Sequence, residues 1–267
     1  MFYKEEIFLK NMINLIKECN NIVIKIYEDD FKISSKKDES PLTKADTECN
    51  KHICKFINKL YINNETILIS EENKNSDYIH RKNKKYAWLI DPLDGTKEFI
   101  KKNGQFTINI GLCKNNVPVF GIVSIPCTGE IFYGIEGVGS FKLINQNLTK
   151  LEVNQFKDFN KPKLKIIASS SHLNNETKKF ISNFNDPIKI NIGSSIKLLL
   201  IAENKADIYP RIAPTSEWDT CAAHAIVKYA GGNVVKCLEV DKNVLNKESE
   251  ELVYNKENML NPFFVVY

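Results

Sequence analysis

Apolar residues near the start of the chain, Phe8, Met12, Leu15, Ile16, Cys19, Ile22, Val23 and Ile26, recur at three- and four-residue steps, which predicts a long amphipathic helix. A second helical stripe, Ile53, Phe56, Ile57 and Leu60, follows a polar loop at 40–47, where Asp46 is placed to cap the helix. Residues 66–70 read as a short apolar strand ending in Glu71-Glu72. Residues 86–90 read as a buried strand that Asp91-Pro92 stops, because proline cannot donate to a ladder and restricts the residue before it. Phe106, Ile108, Ile110 and Leu112 then alternate with Thr107, Asn109 and Gly111, and a second strand at 117–125 follows across Asn115-Asn116, so a hairpin or meander is expected. Segments 131–134 and 140–143 continue it.

A polar stretch at 145–162 predicts a boundary, giving an N-terminal α+β half over 1–155 and a C-terminal α/β half over 156–267. In the second half, strands at 164–168, 188–192, 207–209, 234–235 and 263–266 alternate with helices at 174–181, 194–203 and 219–230, the order of a layered α/β fold.

Composition narrows the function classes. With 267 residues, 43% hydrophobic and 26% charged, the chain has the make-up of a soluble globular protein with a substantial core. The net charge of +4 comes without a basic stripe interleaved with aromatics, so nucleic acid is not an expected partner and small anionic substrates are. Seven scattered cysteines without a C-x-x-C pair are reduced, intracellular usage. Cys49, His52 and Cys54 lie close together, but they fall in a helical pattern and lack a second ligand pair, so packing is expected there rather than zinc. Charges come too early for a signal peptide and no 18-residue apolar run occurs, so the expected location is cytoplasmic, free or peripheral on the cytoplasmic face of the inner membrane.

The candidate chemistry sits at strand ends. In Asp91-Pro92-Leu93-Asp94-Gly95-Thr96, two carboxylates flank the Leu93 carbonyl, and an exposed Gly-Thr turn follows with its N–H groups unspent. That is a hard-cation site beside an anion site, and oxygen donors of this kind suit Mg²⁺. The bland alternative is an Asp-Pro/Asp-Gly turn closing a strand. Gly193-Ser194-Ser195 opens a helix just past a strand with Lys197 in its first turn, and Ser169-Ser170-Ser171-His172 occupies a similar junction. Trp218-Asp219-Thr220 begins a helix of small residues in which His224 is expected to be packed. Capping serines, an ST-turn and a capping aspartate are the bland readings of these three.

Together, Ser70-Glu71-Glu72, Asp91-Pro92-Leu93-Asp94-Gly95-Thr96 and Trp218-Asp219-Thr220 resemble the signature of the inositol monophosphatase superfamily of Mg²⁺-dependent, Li⁺-sensitive phosphatases. Within it, Gly95-Thr96-Lys97-Glu98-Phe99, Ser171-His172, Gly193-Ser194-Ser195-Ile196-Lys197, Tyr209-Pro210-Arg211 and Leu260-Asn261-Pro262 are similar to the bacterial CysQ-type 3′(2′),5′-bisphosphate nucleotidases. Departures from the pattern are Ser170 where an Arg is expected, Gln105 where an acid is usual, and Ala213 and Ala223 where Gly is common.

The resemblance implies a five-layered α-β-α-β-α sandwich of mixed α/β class with the site between its halves. It assigns Glu71, Asp91 and the Leu93 carbonyl to one Mg²⁺, and Asp91, Asp94 and Asp219 to a second, in a site of two or three ions. Thr96, oriented by Asp46, would position the attacking water, with Glu72 in support. The N–H groups of Gly95 and Thr96 would hold the phosphate, and Ser171, His172, Gly193, Ser195, Lys197, Arg211 and Asp219 would contact the substrate. The implied reaction removes the 3′-phosphate from adenosine 3′,5′-bisphosphate, with its sulfated precursor as a second candidate substrate. An inositol or sugar monophosphatase, or a non-catalytic nucleotide or metal sensor, are the alternatives; the sequence leaves monomer and dimer equally open.

Overall fold

The computed structural model describes residues 1–29, 33–35, 41–74, 76–154, 158–169, 174–237, 245 and 249–267. Helix α1 (Glu6–Glu28) buries Phe8, Met12, Leu15, Ile16, Cys19 and Val23, the stripe expected from their spacing. Strands β1 (Ile33–Ser35) and β2 (Pro41–Thr43) form a small antiparallel pair that leads into α2 (Lys44–Leu60). Asp46 is not the cap of α2. Thr43 is, because its extended backbone lets its hydroxyl accept from the Ala45 N–H, while Asp46 at the third helical position reaches back to the Thr43 N–H at 2.8 Å.

Next come β3 (Thr66–Ser70), α3 (Tyr78–Arg81), β4 (Tyr86–Asp94), α4 (Thr96–Ile100), β5 (Thr107–Lys114), β6 (Val117–Ile125), β7 (Glu130–Ile135), β8 (Gly139–Ile144) and β9 (Asn147–Leu151). Among the described residues these seven strands form one sheet in sequence order, parallel between β3 and β4 and antiparallel thereafter. The expected stop of β4 at Asp91-Pro92 is overturned. The strand runs on to Asp94 through a bulge: Asp91 pairs with Asn109 and Asp94 with Thr107, three steps on β4 against two on β5. Pro92 is tolerated because it sits where the ladder is interrupted and no donor is required of it.

The remaining elements are β10 (Lys165–Ser169), α5 (Asn175–Ser182), β11 (Ile188–Ile192), α6 (Ile196–Ala202), β12 (Tyr209–Arg211), α7 (Glu217–Tyr229), β13 (Val234–Lys236) and β14 (Phe264–Val266). β10 and β11 are parallel, β14 lies between β12 and β13, and a bridge from Ile166 to Ile208 ties the two groups together. The strand expected at 207–209 thus forms two residues later, with Ile208 keeping only that bridge.

Alternation along the large sheet divides the core. Trp88, Ile90, Ile108, Ile110 and Phe120 pack with α1 and α2 on one face. Ala87, Leu89, Cys113, Val123 and Phe132 pack with α6 and α7 on the other. A third cluster joins α5 to the C-terminal strands through Ile166, Phe180, Ile208 and Val265. The layers therefore run helix, sheet, helix, sheet, helix. Helix α7 lies so close to the sheet that a Cβ on Gly121 would stand 2.0 Å from the Ala222 carbonyl oxygen, which accounts for the small residues on that helix. His224 is buried there, its Nδ1 2.9 Å from the Tyr254 hydroxyl, and burial pulls its pKa down to about 3, so it is a neutral packing residue. The boundary segment expected at 145–162 contains the end of the large sheet at Leu151, and α7 returns from beyond it to cover that sheet.

Candidate active site

Parallel pairing brings the first two acids together. Ser70 is level with Ile90, and the Glu71 N–H still donates to the Ile90 carbonyl at 3.1 Å, so Glu71, just past the end of β3, lies beside Asp91 within β4. Asp219 arrives from the first turn of α7. Carboxylate oxygens of Glu71, Asp91 and Asp219 all lie within 4.8 Å of one another. Asp91 is only 1% exposed, and burial, followed by the charges of Glu71, Asp94 and Asp219, pushes its carboxyl well above the usual range. Burial and then the Asp94 charge push Asp219 up to about 7, against the hydrogen bond from Thr215. Crowded, buried oxygen donors are what a divalent cation offsets, and carboxylates are the donors that hard cations take, so the residues present fit a metal ion.

Each aspartate is tethered by one oxygen. Asp91 Oδ1 accepts from the Leu93 N–H at 3.0 Å. Asp94 Oδ2 accepts from the Ser195 N–H at 2.6 Å and the Ser195 hydroxyl at 2.9 Å. Asp219 Oδ2 accepts from the Thr215 hydroxyl at 2.6 Å and the Ser216 N–H at 2.9 Å. Asp219 is therefore the third residue of a capping box begun by Ser216, rather than the cap itself as its sequence position suggested. Asp46 has the same local arrangement on α2, with both Thr43 donors on its Oδ2 and its Oδ1 facing the Thr96 hydroxyl at 3.3 Å. That hydroxyl is also 3.3 Å from the Leu93 carbonyl oxygen.

Gly95 holds φ at +95°, and a Cβ there would come 2.9 Å from the Gln105 carbonyl oxygen, so the turn after Asp94 admits only glycine. Glu72 lies one residue past Glu71, half-buried, outside the three-acid set. Beside the acids is a pocket whose lining includes Asp94, Ser195, Lys197, Tyr209, Arg211 and Asp219. Lys197 is 8% exposed with its Nζ 5.7 Å from the Tyr209 ring centre, and burial pulls its pKa down to about 8 while Asp94 opposes the shift. Arg211 donates through Nη2 to the Pro214 carbonyl at 2.6 Å, and its Nε is buried without a hydrogen-bond partner among the described residues. The Gly193 N–H donates to Gln105 Oε1 at 3.0 Å. The helix opening at 193–195, expected as a ready anion site, already gives the Ser195 N–H to the Asp94 carboxylate. Ser170, Ser171 and His172 lie outside the described residues.

Sequence reasoning missed Thr107, Asn109 and Thr215. The first two were visible only as the polar half of an alternating strand; the structure buries both completely against the residues before α6.

A layered α/β molecule with an acidic cluster at its strand ends, open to a cationic pocket, is a metal-site architecture of the phosphatase kind. The chain belongs to the inositol monophosphatase family, whose model matches residues 5–261, and that family is one of metal-dependent phosphatases. It is 34% identical over 228 residues to the 3′(2′),5′-bisphosphate nucleotidase CysQ of Salmonella typhimurium, covering 85% of this chain and 89% of the relative. It is 35% identical over 235 residues to the protein of the same description in Buchnera aphidicola, covering 85% and 83%. Among solved structures, CysQ from Bacteroides thetaiotaomicron superposes with a TM-score of 0.78 at 37% identity, covering 96% of each chain. The Thermotoga maritima inositol monophosphatase, at 22% identity and a TM-score of 0.73 over 97% of this chain and 91% of its own, shares the fold.

Proposed function

We propose that the protein is a divalent-metal-dependent 3′(2′),5′-bisphosphate nucleotidase that converts adenosine 3′,5′-bisphosphate and water to AMP and phosphate. The observation that carries this reading is the meeting of the Glu71, Asp91 and Asp219 oxygens within 4.8 Å, beside a pocket lined by the two cations Lys197 and Arg211. Relatives of that description, at 34–35% identity, support the substrate class.

Glu71, Asp91, Asp94, Asp219 and the Leu93 carbonyl would hold Mg²⁺, as two or three ions. When bound, Mg²⁺ supplies positive charge to the phosphoryl oxygens and lowers the pKa of water. The chain's own residues provide the rest. Thr96, with its proton directed to Asp46, keeps lone pairs with which to orient the attacking water toward phosphorus. Asp46 is held to that task by its two bonds from Thr43. The N–H groups of Gly95 and Thr96 take phosphate oxygens, and Glu72 supports the site from beside Glu71. Lys197 and Arg211 take the second phosphate, the feature that separates a bisphosphonucleotide from inositol monophosphate. The water oxygen joins phosphorus, the bond to the ribose 3′-oxygen breaks, and that oxygen leaves with a proton. The expected setting is the cytoplasm, in keeping with seven scattered cysteines that form no C-x-x-C pair.

Phosphate release from a panel of adenosine 3′,5′-bisphosphate, its sulfated precursor, inositol monophosphate and sugar monophosphates, with Mg²⁺ or with EDTA, tests the reading. Release from the bisphosphate, abolished by EDTA, is expected. A preference for inositol monophosphate would replace the nucleotidase reading with its alternative, and tight binding of the bisphosphate without turnover would favour the sensor.

A further inference from the structure

Four buried polar side chains form one directed line behind the acids. Thr107 and Asn109 lie on β5 directly opposite Asp94 and Asp91 in the strand register, and both are 0% exposed. The Thr107 hydroxyl donates to Asn109 Oδ1 at 3.1 Å and stands 2.7 Å from the Ser194 hydroxyl. Its one proton goes to Asn109, so Ser194 is the donor in that second bond. Asn109 Nδ2 in turn donates to the Ser195 hydroxyl at 3.0 Å. Ser195 Oγ then has two acceptors for its own proton, Asp94 Oδ2 at 2.9 Å and the Asp219 backbone carbonyl at 2.8 Å.

Ser195 precedes α6, yet its hydroxyl makes no capping bond to that helix. It is spent instead between one acid that comes from β4 and the main chain of another that comes from α7. We propose that Ser195, oriented by Asn109 and Thr107, is a positioning residue that sets Asp94 and Asp219 relative to each other for metal binding. The inference rests on the metal-site reading above. A buried amide and hydroxyl supplied by the sheet have little other reason to face a seryl oxygen 86 residues away. Partners that orient metal ligands from behind are worth about 10- to 100-fold in metal affinity.

The test is calorimetric titration of metal-stripped protein with Mg²⁺ alone, beside thermal melts in EDTA. Ser195→Ala keeps the backbone N–H bond to Asp94 and removes the hydroxyl; Thr107→Val keeps shape and removes the proton that orients Asn109; Thr107→Ser restores it. Ser195→Ala and Thr107→Val are expected to raise the Mg²⁺ Kd by about 10- to 100-fold, with Thr107→Ser near wild type. Folded variants that bind Mg²⁺ as tightly as wild type overturn the inference and leave the metal site standing. Loss of fold in both variants would assign the line to stability and also overturn it. A wild-type protein that takes up no Mg²⁺ overturns the metal-site reading itself.

Discussion

The Thr96 hydroxyl stands 3.3 Å from Asp46 Oδ1, two residues 50 positions apart that the first turns of α2 and α4 bring to one point. Because Asp46 is tied by Thr43 on its other oxygen, the carboxylate cannot turn away, and the threonine inherits a fixed orientation. Thr96→Val preserves shape but removes the hydroxyl. We expect kcat to fall by roughly 10²- to 10⁴-fold with the Mg²⁺ requirement unchanged. A loss confined to KM in steady-state kinetics would make Thr96 a binding group instead.

Asp91 lies at the centre of the acid cluster, so Asp91→Asn should abolish turnover and Mg²⁺ uptake while leaving the fold intact. Metal-free stability should not suffer, because the substitution removes one of several mutually repelling buried carboxylates. Calorimetry for Mg²⁺ and a melt in EDTA check both halves. Calcium should inhibit the wild type, since it accepts oxygen donors with looser geometry.

Lys197 gives a pH dependence. Its folded pKa of about 8 lies below the ordinary 10.5, so the folded state binds fewer protons than the unfolded state between those values. By linkage, its burial costs stability below pH 8, and the cost is relieved as pH rises toward 10.5. Catalysis should run the other way. In its proposed role the ammonium form holds the remote phosphate, so kcat/KM for the bisphosphate should decline as pH rises through about 8. Lys197→Ala should cost about 10- to 100-fold in kcat/KM for the bisphosphate and flatten that limb, while hydrolysis of a simple sugar monophosphate, where any occurs, stays nearly unchanged. Equal losses on both substrates would show that Lys197 serves the fold or the shared phosphate site.

Gly121→Ala probes the seat of α7. The added Cβ would meet the Ala222 carbonyl oxygen at 2.0 Å, and backbone cannot swing aside as a side chain can. We expect the helix to lift, with Tm falling by roughly 5–10 °C and Mg²⁺ binding weakened through Asp219. An unchanged Tm by calorimetry would mean that the helix has slack against the sheet.

The periodicities were the legible part of this molecule. Phe8 to Val23 on α1 and the 106–125 hairpin follow directly from local pattern, and the acids were visible because Glu71 and Asp91 each terminate an apolar run, although β4 continues past Asp91. What was not legible depends on partners remote in sequence. Asp46 and Asp219 look like caps, but an aspartate at the third helical position serves equally well when Thr43 or Ser216 takes the cap, and only backbone geometry decides. Thr107 and Asn109 look like a wetted strand face, and nothing local reveals that Ser194 and Ser195 come to cover them.

The bulge in β4 changes the parity of the strand. Side chains alternate sides at every step, so residues three apart in an unbroken strand face opposite ways. Asp91 and Asp94 are three apart, yet they pair with Asn109 and Thr107, which are two apart and share a side. The odd step has been made even by one extra residue, and Pro92, with no N–H to offer, keeps the ladder from closing over it. The motif is thus defended by its length as much as by its letters. Deleting Leu93 would leave every acid in the chain, and Asp91 and Asp94 on one side, but it would remove the carbonyl between them and the bulge that interrupts the ladder at Pro92, so a shortened β4 would be more damaging than most substitutions within it.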